Sequence, residues 1–214
     1  MAAQRNPGST SRAAGCIWAL LLVGSAAVTF GITGIEQNPV PPQPAERHTH
    51  QAAAAPAAPP LPASTPRRVR IPALRVDAPL TGLALDGDGR LEAPPEDDPG
   101  IAGWWSRGPS PGSQGTAIIA GHVDLPSGRA VFYDLGALKP GMHVDVPRQD
   151  GVTARFTVDA IDVYDAADYP DDKVYADTGR PELRLITCGG GYDHQRGRYN
   201  GNVVVSAHLT GDNR

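Results

Sequence analysis

Nine prolines fall within residues 38–66 of this chain (39, 41, 42, 44, 56, 59, 60, 62 and 66), with alanine filling much of the space between them. Proline has no backbone N–H and a fixed φ, so such a stretch cannot build a ladder or bury a core. It is expected to run as a polyproline-like spacer, and at up to ~3.1 Å per residue it could hold a folded domain several tens of ångströms from its point of attachment. Residues 16–35, just before it, carry no charged side chain. About 20 apolar residues is the helix length that crosses ~30 Å of hydrocarbon. Arg5 and Arg12 precede this run and the next cationic side chain is Arg47, which places the N-terminus in the cytoplasm and the bulk of the chain outside. The apolar run continues past the small residues Ser25-Ala26-Ala27 to Ile35, favouring a retained anchor over a cleaved signal peptide. Ala14-Gly15-Cys16 lies ahead of the run, the wrong side for a lipoprotein cleavage site. The expected division is a cytoplasmic segment over 1–15, a transmembrane signal-anchor over 16–35, an extracellular linker over 36–66, one folded domain over 67–211 and a tail over 212–214.

The core must therefore come from residues 67–211, and their pattern is mainly β. Short alternating runs lie at 69–71 and 74–76. Residues 116–120, 144–146, 154–163, 183–187 and 203–207 read as strands, several of them buried. Asp86-Gly87-Asp88-Gly89, Pro111-Gly112, Pro140-Gly141 and Asp150-Gly151 supply turns between them. Short strands at this spacing predict a barrel or sandwich rather than βαβ units, with room for helical turns only near 130–138 and 165–175. The formal net charge of −4 and the absence of a basic stripe argue against a nucleic-acid partner. No cofactor or metal is expected. His48 and His50 stand in the spacer, and Arg90 occupies a ligand position in the calcium-like Asp86–Glu92 segment, which reads instead as a hairpin turn.

The chemistry concentrates at Cys188. It closes the run Leu183-Arg184-Leu185-Ile186-Thr187 and is followed by Gly189-Gly190-Gly191, which sets the sulfur at a strand tip. The other cysteine, Cys16, belongs to the apolar segment, so an external Cys188 is an unpaired thiol in an oxidising space and is read as a nucleophile. A thiol needs a cationic or basic partner to act at neutral pH. His122 terminates the buried run 116–120 after Gly121, a place equivalent to that of Cys188. An imidazole there can pair with the thiolate and later protonate a leaving amine. His143, His194 and His208 have no comparable placement. Asp124, two residues on, is on the right strand face to orient the imidazole, or simply caps a loop.

Ile118-Ile119-Ala120-Gly121-His122 followed by Leu185-Ile186-Thr187-Cys188 resembles the sortases. Gly103-Trp104-Trp105 and the segment from Phe132 through Leu135-Gly136-Ala137-Leu138 to Gly141 fit the same family. Gly121-His122-Val123-Asp124 and Cys188-Gly189-Gly190, behind a proline-rich spacer, are most similar to the class F sortases of actinobacteria. The resemblance spans residues 67–211. It implies a closed sortase β-barrel and a membrane-anchored enzyme that cuts a C-terminal Leu-Pro-x-Thr-Gly-like signal after Thr. The acyl group would pass through a Cys188 thioester to a peptidoglycan or pilin amine. The partners implied are secreted proteins bearing such signals, the amine acceptor and the cytoplasmic membrane.

The family also uses an arginine on the strand after the cysteine to hold the developing oxyanion. Asn202 occupies that position here, a departure from the pattern. Arg198, four residues earlier, is the first candidate to replace it, with Asn202 as a substrate contact. Arg184 shares the face of Cys188 by the period of two and is a further candidate along the peptide groove. Two rival readings stand beside this one: another extracellular cysteine enzyme acting on peptidoglycan, and a non-catalytic wall-binding domain indifferent to loss of Cys188. The first would carry a Ser-His-Gly motif or place cysteine before histidine, and neither is found here.

Overall fold

The computed structural model describes residues 40–44, 48–50 and 57–213. The apolar stretch 16–35, and with it the expected anchor, lies outside the described residues. No helix among the described residues is long and apolar enough to cross a membrane.

The β-rich runs form strands in the order expected from their alternation. They are β1 (His48–His50), β2 (Arg68–Ile71), β3 (Val76–Leu83), β4 (Ala102–Trp105), β5 (Thr116–Gly121), β6 (Asp124–Leu125), β7 (Gly128–Arg129), β8 (His143–Pro147), β9 (Thr153–Asp165), β10 (Glu182–Asp193) and β11 (Arg198–Asn213). One short helix, α1 (Asp171–Tyr175), and three 3₁₀ turns complete the set. The turn at Pro72–Leu74 ends on Arg75 in the left-handed region (φ 56°), so the run 74–76 does not form a continuous strand. Residues 86–90 form a turn in which the Asp86 carboxylate accepts the Asp88 and Arg90 N–H groups at 2.9 Å each.

The main sheet runs β1-β9-β11-β10-β5-β4-β3-β2-β8, and β8 pairs back onto β9 to close an eight-strand barrel. Closure removes the exposed edges that would otherwise template further pairing. The long β9 makes this possible by using one edge twice: residues 153–157 pair with β8, and residues 160–162 with β1. Its burial alternates through Val158 and then becomes continuous from Ala160 to Tyr164. That change marks where the strand acquires a cover on its outer face. Inside, Val69, Ile71, Val144, Val146, Phe156, Leu183, Leu185 and Val205 are fully buried. At roughly 1.5–3 kcal/mol for each large apolar side chain, this interior supplies the main driving force for closure. Outside the wall a second cluster of Ile118, Tyr164, Val174, Ile186 and Val204 packs under α1.

The proline-rich stretch departs from the stand-off spacer expected of it. Where described, it lies along the barrel. The Ala58 N–H donates to Leu209 O (2.7 Å) and the Leu61 N–H to Gly112 O (2.8 Å). Arg148, only 3% exposed, donates to Pro62 O (2.9 Å) and Pro111 O (3.1 Å) and pairs with Asp150. Proline removes donors from a chain but leaves every carbonyl, and a buried guanidinium with five N–H groups needs acceptors. The linker thus acts as ligand to an arginine of the domain.

Arg148→Met should destabilise the protein by about 1–3 kcal/mol in denaturant titrations, since it takes the donor from the buried Pro111 carbonyl, from the Pro62 carbonyl and from the partly exposed Asp150 carboxylate. The guanidinium, first through its hydrogen bond, holds the Asp150 carboxyl below its ordinary 3.8. The pair's contribution is therefore complete above that pH and fades as pH falls through the lowered value. The Met variant should lose this acid limb.

Candidate active site

The sequence-predicted pair lies on two neighbouring strands. β5 and β10 run parallel, with Glu182 opposite Thr116 and Ile186 opposite Ala120. His122 follows the end of β5 at Gly121, and Cys188 comes two residues after the last paired position of β10, so both lie beyond the same end of this pairing. On its other side Cys188 lies directly opposite Asn202 of β11. The three glycines after the thiol have separate causes. A Cβ on Gly189 would lie 2.6 Å from the Val203 side chain, while Gly190 and Gly191 adopt φ of +76° and +89°, open to glycine alone at little cost. The strand does not end at the sulfur as its sequence suggests: β10 bulges through these glycines and re-pairs with β11 at Tyr192 and Asp193, so Cys188 stands within it.

His122 makes a 2.8 Å hydrogen bond from Nε2 to the Pro94 carbonyl. A carbonyl can only accept, so Nε2 carries a proton and Nδ1 is the nitrogen left to exchange one with a thiol or an amine. The 92–101 connection, largely exposed and acidic, is pinned here by the buried Pro94. Asp124 does not orient the imidazole in this arrangement. Its carboxylate accepts a 2.5 Å hydrogen bond from the hydroxyl of Tyr199, which lies on β11 and stacks edge-on against Tyr192 at 5.1 Å. Burial, then the bond to Asp124, push the Tyr199 hydroxyl upward, so it stays a donor. Cys188 is exposed at the surface. Even so, the protein packed around its sulfur, and after it the Asp124 carboxylate, push the thiol above its ordinary 9.0.

A groove of about 920 Å³ opens on the outer face beside this site. Trp105, Ile118, Tyr169 and Tyr175 give it an apolar part, and Asp88, Arg90, Asp171, Arg198 and Asn202 give it a polar one. Asn202 also donates from Nδ2 to Thr187 O (3.3 Å), beside the thiol. Arg184 lies on the same face of β10 as Cys188, as its spacing predicts, but the structure buries it (7% exposed) against Glu182, at 2.9 Å. It does not line the groove. Of the two candidate arginines, Arg198 is the one that faces it. Trp104 belongs to the barrel core and Trp105 to the groove wall.

Tyr199 and Pro94 escape sequence reasoning. A tyrosine on a strand reads as packing, and a proline carbonyl carries no signal at all. Only the spacing of Asp124 after His122 hints that a carboxylate stands nearby.

A family model described as Sortase domain matches residues 69–210. Among solved structures the chain is similar to a lid mutant of sortase A from Corynebacterium diphtheriae, with TM-score 0.53 and 20% identity over 71% of this chain and 73% of that one. It is similar to sortase A of Listeria monocytogenes, with TM-score 0.52 and 15% identity over 71% and 90% of the two chains. It is likewise similar to sortase C1 from Streptococcus suis, with TM-score 0.52 and 20% identity over 69% and 74%. At these identities the structures speak for the fold. No curated protein matches the chain.

Opposite responses are expected from the two halves of the Asp124–Tyr199 pair. Asp124→Asn removes a negative charge beside the thiol, so alkylation of Cys188 by iodoacetamide at neutral pH should speed up severalfold and its pH profile should move toward acid. Tyr199→Phe leaves the carboxylate without its donor, and the profile should move toward alkali. A pH series of alkylation rates checks both.

Proposed function

Because the chain belongs to the sortase family, whose domain spans residues 69–210, we propose that this cysteine transpeptidase is a class F sortase, anchored in the cytoplasmic membrane through residues 16–35. Its substrates are secreted proteins with a C-terminal Leu-Pro-x-Thr-Gly-like signal, and its acceptor is a peptidoglycan or pilin amine. The observation that carries the reading is the parallel register of β5 and β10, which leads toward His122 and Cys188 at one end of the pair, beside the groove lined by Asn202, the cross-strand partner of Cys188. Gly121-His122-Val123-Asp124 and Cys188-Gly189-Gly190 support the class, and the charge-free run 16–35 supports the anchor.

The Cys188 thiolate attacks the Thr carbonyl and forms a tetrahedral oxyanion. Collapse breaks the Thr–Gly bond, and imidazolium His122 gives a proton from Nδ1 to the leaving glycine amine. The thioester keeps the energy of the peptide bond, so transfer needs no nucleotide. The acceptor amine then loses a proton to His122 as it attacks, and the thiol is released. Arg198, at the groove border, supplies the guanidinium that meets the oxyanion. Asn202 holds the backbone of Thr187 beside the nucleophile.

The full chain in detergent, given a Leu-Pro-x-Thr-Gly peptide library and hydroxylamine, should yield a hydroxamate ending in Thr that Cys188→Ala abolishes. Absence of product with a reactive Cys188 would redirect the search to peptidoglycan substrates, and an inert Cys188 would sink the enzyme reading. Arg198→Ala should lower kcat by about 10²–10³-fold, the scale of losing an oxyanion donor, while leaving the alkylation rate of Cys188 unchanged.

A further inference from the structure

The described residues of the proline-rich stretch include 40–44, and these do not merely pass the domain. Pro41 is buried. Pro42 runs so close to the 3₁₀ turn Leu135–Ala137 that a Cβ on Gly136 would lie 2.2 Å from its carbonyl oxygen. Glycine at 136 is thus a requirement of this contact, since no side chain fits between turn and strap. Gln43 follows, with its side chain reaching the glycine bulge of β10. Its Oε1 accepts the Gly190 N–H at 3.1 Å. Its Nε2 donates to Pro41 O and Pro42 O, each at 3.3 Å. Every polar atom of the amide is matched to a partner of the right kind, which fixes its orientation.

We propose that Gln43 is a positioning residue for the nucleophile, capping the Gly190 N–H two residues beyond Cys188 and locking the glycine bulge in its strand. This rests on Cys188 being the sortase nucleophile. Gly189, Gly190 and Gly191 lie within β10, which runs on to Asp193, and a glycine run has the largest backbone freedom to lose and the least side chain to hold it. The β10–β11 register shifts between Gly189 and Tyr192, so Gly190 and Gly191 take no cross-strand partner in the ladder. Gln43 supplies the missing constraint from outside the barrel. It acts on the backbone behind the sulfur and is not among the residues that line the groove, so it governs turnover rather than binding.

The test uses the full chain in detergent, with Gln43→Ala and Gln43→Glu. The Ala variant loses the acceptor and the Glu variant keeps one. In Gln43→Ala, kcat for acyl transfer should fall about threefold to tenfold, the range set by one lost hydrogen bond, with KM unchanged within about twofold. Exchange of the Gly190 amide with deuterated solvent should accelerate by at least the same factor. Gln43→Glu should retain slow exchange and most of kcat. Unchanged Gly190 exchange in Gln43→Ala overturns the proposal, as does a loss expressed in KM rather than kcat. Exchange is read without substrate, so it judges the cap even if the wild-type chain transfers no acyl group, an outcome that would instead overturn the proposed function.

Discussion

Everything at the active end of this protein depends on the parallel pairing of β5 with β10. The barrel is otherwise largely antiparallel, and antiparallel neighbours place their tips at opposite ends of the sheet. A parallel pair ends on one side, so the chain runs on toward His122 from β5 and toward Cys188 from this pairing in the same direction. A slip of one residue would turn the thiol into the barrel and leave the imidazole facing a backbone. The alternation Leu183, Leu185 inward and Arg184, Ile186 outward holds the register, because both faces of β10 are buried up to the thiol. The nucleophile is thus placed by apolar packing several residues behind it.

Charge around the thiol is arranged with restraint. The nearest influences that bear on Cys188, burial and Asp124, both favour the neutral thiol. Such a site favours the protonated sulfur, which shields an exposed, unpaired thiol from oxidation. Tyr199 moderates this by taking part of the Asp124 charge into a short hydrogen bond. The same bond joins the segment after His122 to the strand after Cys188, so one interaction tunes the site and ties its two sources together.

Much of this was legible beforehand. Alternation and turn residues mark the strands, and Cys188 and His122 stand out as reactive groups beside glycines, though the glycines after Cys188 make a bulge within β10 and not its end. The period of two placed Arg184 on the correct face, but it carries no information about what covers that face. The approach to α1 and the Glu182 carboxylate bury the side chain, and both are tertiary facts. Composition likewise predicts a spacer over 38–66, but not that its backbone carbonyl at Pro62 accepts from the buried Arg148 or that the Gln43 side chain accepts from the Gly190 amide. Asn202 in place of the family's arginine remains a difference in chemistry that the local backbone does not explain.

The docking of Pro41 beside the glycine bulge also changes the meaning of the tether. Pro42 and Gln43 contact the 3₁₀ turn at Gly136 and the amide of Gly190, so this part of the linker belongs to the folded unit. A solvated spacer can drift in sequence as long as it keeps its length. This one cannot, because a change at Pro42 or Gln43 is felt two residues from the thiol.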